Sequence, residues 1–247
     1  MAAVAVSVEL PERDRQVVEL VAKFRQMTRQ QLRACLFSNN ASATPLDRAL
    51  KRLVEEKHLT RLARLVGGDK GGSAQYVYQL GRAGWKLLDK PGAYWAPRAV
   101  NLHTLAIADC YAWLKQAEHR GELEVIQFTN EPECHQAAGR VLLTPDAYVE
   151  IGSRDECKKR CFWLEVDRGT EHLRKIQGKC DRYWWAYSCW QEDYFPTVLF
   201  VVPDEQRKRG VERVLRDGSS CARRIFSVHL FGNLVSKELA NIIVERS

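Results

Sequence analysis

The stretch 59–80 does most to limit the folds open to this chain. Leu59-Thr60-Arg61-Leu62-Ala63-Arg64 and Gln75-Tyr76-Val77-Tyr78-Gln79-Leu80 have the composition of strands. Between them lies Gly67-Gly68-Asp69-Lys70-Gly71-Gly72-Ser73, a tip rich in the residue that turns at least steric cost. Three segments of helical period precede this hairpin. Residues 12–26 space Val17, Val18, Leu20, Val21 and Phe24 along one face. Thr28 is placed to cap a second helix over 29–37, with Leu32, Cys35 and Leu36 inward. Thr44-Pro45 opens a third, running to residue 57 and turning Leu46, Leu50, Leu53 and Val54 inward. Three short helices and a ribbon in so short a span leave room for one small core.

The charge is unevenly spread. Of a net +7, residues 1–98 hold 17 Lys and Arg against 9 Asp and Glu, a balance of +8, while 99–247 hold 21 against 22, a balance of −1. A basic excess confined to the helix-and-hairpin part points to a phosphate backbone as partner. The arrangement resembles a winged helix-turn-helix, in which the third helix enters a major groove and the hairpin tip meets phosphates. The residues expected to face DNA are Arg48, Lys51 and Arg52 on the polar side of the third helix, Arg29 at the start of the second and Lys70 at the tip. A helical protein-interaction domain of the same outline is the alternative.

The run KPGAYWAPR at 90–98, with Pro91, Gly92 and Pro97, reads as a break. The expected organisation is a winged helix-turn-helix DNA-binding domain over 1–90, a linker over 91–100 and a second domain over 101–247. The second domain opens on a helix over 101–120. Strand candidates follow at 123–129, 142–151 and 161–166, then a long helix over 170–190, a strand at 197–202, an amphipathic helix at 204–217 and a strand at 225–231. Successive strands suggest a meander and a strand after a helix suggests a crossover. The expected class is therefore α+β, with the second domain a mixed sheet flanked by helices.

Two acidic clusters lie on neighbouring strand candidates: Thr144-Pro145-Asp146-Ala147-Tyr148-Val149-Glu150 and Phe162-Trp163-Leu164-Glu165-Val166-Asp167-Arg168-Gly169-Thr170-Glu171. Strand alternation turns Glu165 and Asp167 to one face, and pairing of the two strands brings Asp146 to the same end. Three converging carboxylates are costly without a cation, and hard-oxygen clusters of this kind bind Mg²⁺ or Mn²⁺. At these residues the chain resembles the PD-(D/E)xK nuclease superfamily. Pro145-Asp146 matches the family's first acid and Glu165-Val166-Asp167 stands where its (D/E)-x-K element lies. The winged helix, the PD strand, E-V-D-R-G-T-E and a downstream Lys/Tyr helix together are similar to the replication-relaxation family of plasmid and other mobile-element proteins. The resemblance implies work on DNA in replication or transfer, with Asp146, Glu165 and Asp167 as metal-binding and catalytic acids. Asp167 stands in place of the superfamily's lysine. Lys175 and Lys179, four apart on the following helix, are the candidate substitutes, with Lys179 preferred. Solvated strand ends, with Arg168 pairing an acid, are the structural alternative.

Other chemistries find less support. Tyr183-Trp184-Trp185-Ala186-Tyr187 and Trp190 read as packing, and a tyrosine relaxase would need a His-x-His motif that His58, His103, His119, His135, His172 and His229 do not form. Cys157, Cys161 and His172 fit no standard zinc spacing. His103 and Asp109 read as core-edge or solvated residues beside the acids. The eight cysteines form no C-x-x-C pair and read as buried free thiols. No P-loop or G-x-S-x-G is present. No apolar run spans a membrane and the first residues lack a basic leader, so the expectation is a cytoplasmic protein with no membrane partner. The partner expected is double-stranded DNA, with homodimerisation left open. Two functions remain: a Mg²⁺- or Mn²⁺-dependent DNA nicking enzyme, or a non-catalytic regulator or replication accessory protein whose nuclease-like domain serves dimerisation or partner contact.

Overall fold

The computed structural model describes residues 10–38, 42–65, 75–95, 99–153, 159–217 and 222–231; Lys70 with the rest of the glycine-rich tip, Cys157 and Cys221 lie outside them. The chain divides into two compact units, Met1–Leu105 and Ala106–Ser247.

The first unit runs α1 (Glu12–Phe24), β1 (Gln26–Thr28), α2 (Arg29–Leu36), α3 (Thr44–Glu55), β2 (Leu59–Leu65), β3 (Gln75–Leu80) and α4 (Arg82–Leu87). The expected first helix stops short of residue 26. Arg25 takes φ 62°, a left-handed value that ends the helix, and Gln26–Thr28 becomes a strand beside β3. The sheet order is β1-β3-β2, antiparallel throughout. Thr28 then caps α2: its hydroxyl accepts from the Gln31 amide and the Gln31 side chain accepts from the Thr28 N–H. Val17, Val21, Leu32, Leu46, Leu53, Leu59 and Val77 close the core. The short helix α4 is absent from the periodicity. Its N-terminal approach needs glycine, because a Cβ on Gly81 would lie 2.3 Å from the Lys57 carbonyl oxygen. Part of 91–100 returns to this unit. Tyr94 donates to the Leu80 carbonyl at 3.2 Å, and the Gln26 side chain donates to Ala99 O at 3.0 Å and accepts from Asn101 N at 2.8 Å.

The second unit follows α5 (Leu102–His119), which crosses the division. It holds β4 (Glu124–Asn130), β5 (Gln136–Ala138), β6 (Val141–Leu143), β7 (Ala147–Gly152), β8 (Lys159–Val166), α6 (Leu173–Ser188), β9 (Thr197–Val202), α7 (Glu205–Asp217) and β10 (Phe226–Leu230). Five strands form one sheet in the order β10-β9-β8-β7-β4. β4, β7 and β8 make the antiparallel meander, and α6 and α7 are crossovers between parallel strands. The expected strand over 142–151 is two strands, since Pro145 has no N–H for the ladder and β6 folds back on β5. Cys110 and Leu114 of α5 meet Val149, Ile151, Phe162, Leu164 and Leu199 on one face of the sheet. The other face packs Trp163, Val198, Phe200 and Val228 against Ile176 and Tyr183 of α6 and Val211 of α7. The fold is thus α+β, helices with a small sheet followed by a mixed sheet flanked by helices. Among the described residues no helix is long and apolar enough to cross a membrane.

Candidate functional site

The site is made where β7 begins and β8 ends. The last register pair, Ala147 with Leu164, sets Asp146 beside Glu165. The backbone fastens this corner. Asp146 N–H donates to Leu164 O at 2.9 Å, and Val166 N–H donates to the Asp146 carboxylate at 2.6 Å. Both acids are buried, Glu165 to 2% exposure. Helix α6 reaches Glu165 with two side chains one turn apart. Lys179 Nζ donates to Oε2 at 2.8 Å and Tyr183 donates its hydroxyl to Oε1 at 2.6 Å. Lys179 also lies 3.5 Å from Glu171.

The electrostatics follow from burial. Desolvation, then the neighbouring charge of Asp146, push the Glu165 carboxyl up to about 7 against the opposing pull of Lys179 and Tyr183. Burial works against the Lys179 ammonium, but Glu165, Asp146 and Glu171 outweigh it and hold the lysine above its ordinary value. Burial, then Glu165, raise the Tyr183 phenol well above the usual range. Tyr183 therefore stays a protonated donor.

The expected acids do not all converge. Asp167 lies one residue past β8, where its carboxylate accepts from Gly169 N–H at 2.8 Å and from Arg207 Nε of α7. Arg207 also donates to Glu171 O at 2.7 Å, pinning the loop after β8. Among the described residues no group of three or more His, Cys, Asp and Glu is placed to hold a metal ion. Asp146 and Glu165 still offer two adjacent hard-oxygen donors whose mutual repulsion a divalent cation would relieve. Of the two candidate lysines, Lys179 joins the acids, whereas Lys175 is exposed on the first turn of α6.

Tyr183 and Arg207 were not among the sequence candidates. Tyr183 stands four residues after Lys179, the spacing that stacks side chains on one helix face, and that signal was available. Arg207 pairs across 40 residues and no local pattern announces it. Of the aromatics of α6, Tyr183 packs against Trp163 and edge-on against Phe226, in keeping with the packing role, whereas Trp185 and Tyr187 are exposed. Of the described cysteines, Cys35, Cys110, Cys134, Cys161 and Cys180 are buried free thiols, but Cys189 is exposed.

A family model described as replication-relaxation matches residues 18–198. The chain belongs to the replication-relaxation family. Comparison with curated proteins gives no match. Among solved structures, the restriction endonuclease FokI aligns at 11% identity and a TM-score of 0.30, over 95% of this chain and 46% of that one, so the chain spans about half of FokI's length.

In the first unit of this replication-relaxation chain, the candidate basic residues fall into two groups. Arg48 and Lys51 are exposed on α3. Arg52 and Arg29 are engaged within the fold. Arg52 Nε donates at 2.8 Å to Asp14, a buried acid of α1, and Arg29 makes a two-pronged pair with Asp47, its second bond 2.9 Å. Helical period shows which arginines leave the core, but not which of them finds a carboxylate on another helix.

Proposed function

We propose that the chain binds double-stranded DNA through its first unit and cuts one strand at the acid pair of its second, in the replication or transfer of a plasmid or other mobile element. The observation that carries this reading is Lys179 reaching Glu165 from helix α6 beside Asp146. An acid at a strand start, an acid at a neighbouring strand end and a lysine bonded to the second of them form a phosphodiester-directed constellation, with the lysine supplied from the helix. Asp146 and Glu165 would hold Mg²⁺ or Mn²⁺, which when bound activates water and offsets charge on the phosphate. Lys179 keeps its positive charge at the acid pair and meets the charge that develops on the phosphate. Tyr183 holds Glu165 in one orientation. Asp167 with Arg207 fixes the loop that carries Glu171 towards Lys179.

In the first unit, α3 presents Arg48 and Lys51 to the duplex, and Lys70, outside the described residues, adds its charge. Arg29 and Arg52 act from behind by bracing the helices. Affinity of this kind falls steeply with salt.

One observation favours a second reading. Both carboxylate oxygens of Glu165 already have donors, and the residue is almost fully buried. In that reading the protein is a non-catalytic DNA-binding regulator or accessory protein, and the second unit serves dimerisation or partner contact. Incubation with supercoiled plasmid and Mg²⁺ or Mn²⁺ separates the two. Relaxed or linear product that disappears with Glu165→Gln and Asp146→Asn supports nicking, and unchanged plasmid at every metal concentration supports the second.

A further inference from the structure

The sheet face that carries the acid pair continues along β7 and β8 into a cavity of about 580 Å³, a size that takes a small organic ligand. Register places it. Tyr148 pairs with Trp163 and Glu150 with Cys161, the next two rows beyond Asp146 and Glu165. At about 3.3 Å per residue, Glu150 stands roughly 13 Å along the strand from Asp146. Glu150 is held by the Tyr148 hydroxyl at 2.6 Å. Its two other donors are long contacts, the Cys161 thiol at 3.7 Å and the Lys159 ammonium at 3.5 Å. Trp190 and Tyr194 wall the cavity, and Tyr194 is 43% exposed. Among the described residues, Glu133 and Glu192 also line it, against the ammonium of Lys159.

These features select a ligand. Among the described lining residues three carboxylates face one lysine, which disfavours a phosphate, so a nucleotide here enters base first and keeps its phosphate outside. The aromatic walls suit the face of a base. The Glu150 carboxyl is held below the usual carboxylate range, by the Tyr148 bond first, and so stays an ionised acceptor. Guanine presents two adjacent N–H donors on its Watson–Crick edge. Adenine and cytosine each set one donor beside a ring acceptor, and thymine sets one donor between two acceptors. An ionised carboxylate therefore matches guanine and opposes the rest.

We propose that this cavity receives an unpaired guanine of the strand held at the acid pair, with Glu150 accepting from N1–H and N2–H and Trp190 and Tyr194 flanking the ring. This rests on the reading of the chain as a protein that acts on DNA.

The test uses the full chain in EDTA, so that binding is read without cleavage. Fluorescence anisotropy compares labelled single-stranded oligonucleotides that differ at one position, holding dG, dA, dC, dT or deoxyinosine, which lacks the N2 amino group. The dG strand should bind about tenfold more tightly than the dA or dT strand, with deoxyinosine between, a gap within that of one good bidentate base contact. Glu150→Gln should bring the dG preference below about twofold, by weakening the dG strand while the dT strand binds as well as before or better. Equal binding of dG and deoxyinosine by the wild type overturns the proposal without reliance on any variant. A dG preference that survives Glu150→Gln also overturns it, as does a Glu150-dependent rise in melting temperature with free arginine but none with guanine strands, which marks a cationic ligand instead. Binding without base preference counts against this cavity alone. Absence of any DNA binding removes the underlying reading as well.

Discussion

Glu165 and Lys179 stand fourteen positions apart in the chain and 2.8 Å apart in space. The contact joins the last residues of β8 to the second turn of α6. It sets a buried acid that resists ionisation against a lysine that resists deprotonation, and this opposition has a measurable pH signature.

The Glu165 carboxyl, pushed up to about 7 by burial and then by Asp146, binds its proton more tightly in the folded chain than in the unfolded one. Its contribution to stability is complete below the ordinary carboxylate value and is lost as pH rises through about 7. The wild-type melting temperature, measured against that of Glu165→Gln, should therefore be most favourable near pH 5 and fall towards pH 8 (both roughly, from the linkage sign). A difference that is flat or grows over that interval would contradict the placement of Glu165 beside Asp146.

Divalent metal should reverse part of this cost. Binding to the folded state alone stabilises by about 2.7 kcal/mol at a hundredfold excess over Kd. Mn²⁺ or Mg²⁺ should raise the wild-type melting temperature, and Asp146→Asn or Glu165→Gln should remove the rise. Calorimetric titration checks the same point directly, and identical melting curves for wild type and Glu165→Gln at millimolar-range metal would leave the acids without a cation role.

Arg207 and Asp167 form a part-buried pair, with 14% and 3% of their side-chain surfaces exposed. Arg207→Ala leaves the Asp167 charge with the Gly169 N–H but without its cation, and should destabilise the second unit by up to about 3–5 kcal/mol. Asp167→Asn combined with Arg207→Ala should cost less than the sum of the single changes. Additivity in denaturant melts would show that the pair does not hold the loop.

The basic residues of the first unit should separate by phenotype. Arg48→Ala and Lys51→Ala should weaken duplex binding and reduce its salt slope by about one each if both meet phosphate, with melting unchanged. Arg52→Ala strips a buried acid of its partner and should cost about 1–3 kcal/mol of stability, with any binding loss following from that. Full affinity in a folded Arg48→Ala/Lys51→Ala variant would discard α3 as the duplex-facing helix.

Local patterns in the chain determined a good deal. The 3.6-residue spacing of Val17, Val21 and Phe24, the cap at Thr28 and the Thr44-Pro45 start are interactions within a turn or two, so α1, α2 and α3 were legible. The alternation and apolar runs of β8 and β9 were legible for the same reason, and with them the mixed sheet. The Asp146 and Glu165 corner needed only strand pairing in the natural register. Tertiary structure decided the rest, because it depends on groups far apart in sequence competing for one another. It made Gln26–Thr28 a strand by giving it β3 as a partner. It drew Asp167 away from the expected acid trio by offering it a guanidinium 40 residues away. It chose Lys179 over Lys175, because the second turn of α6 meets the end of β8 at Glu165 while Lys175 on the first turn stays exposed. It placed Tyr183 on the remaining oxygen. It paired Arg29 and Arg52 at the surface with acids, because carboxylates on α3 and α1 lie within reach only once the helices have packed.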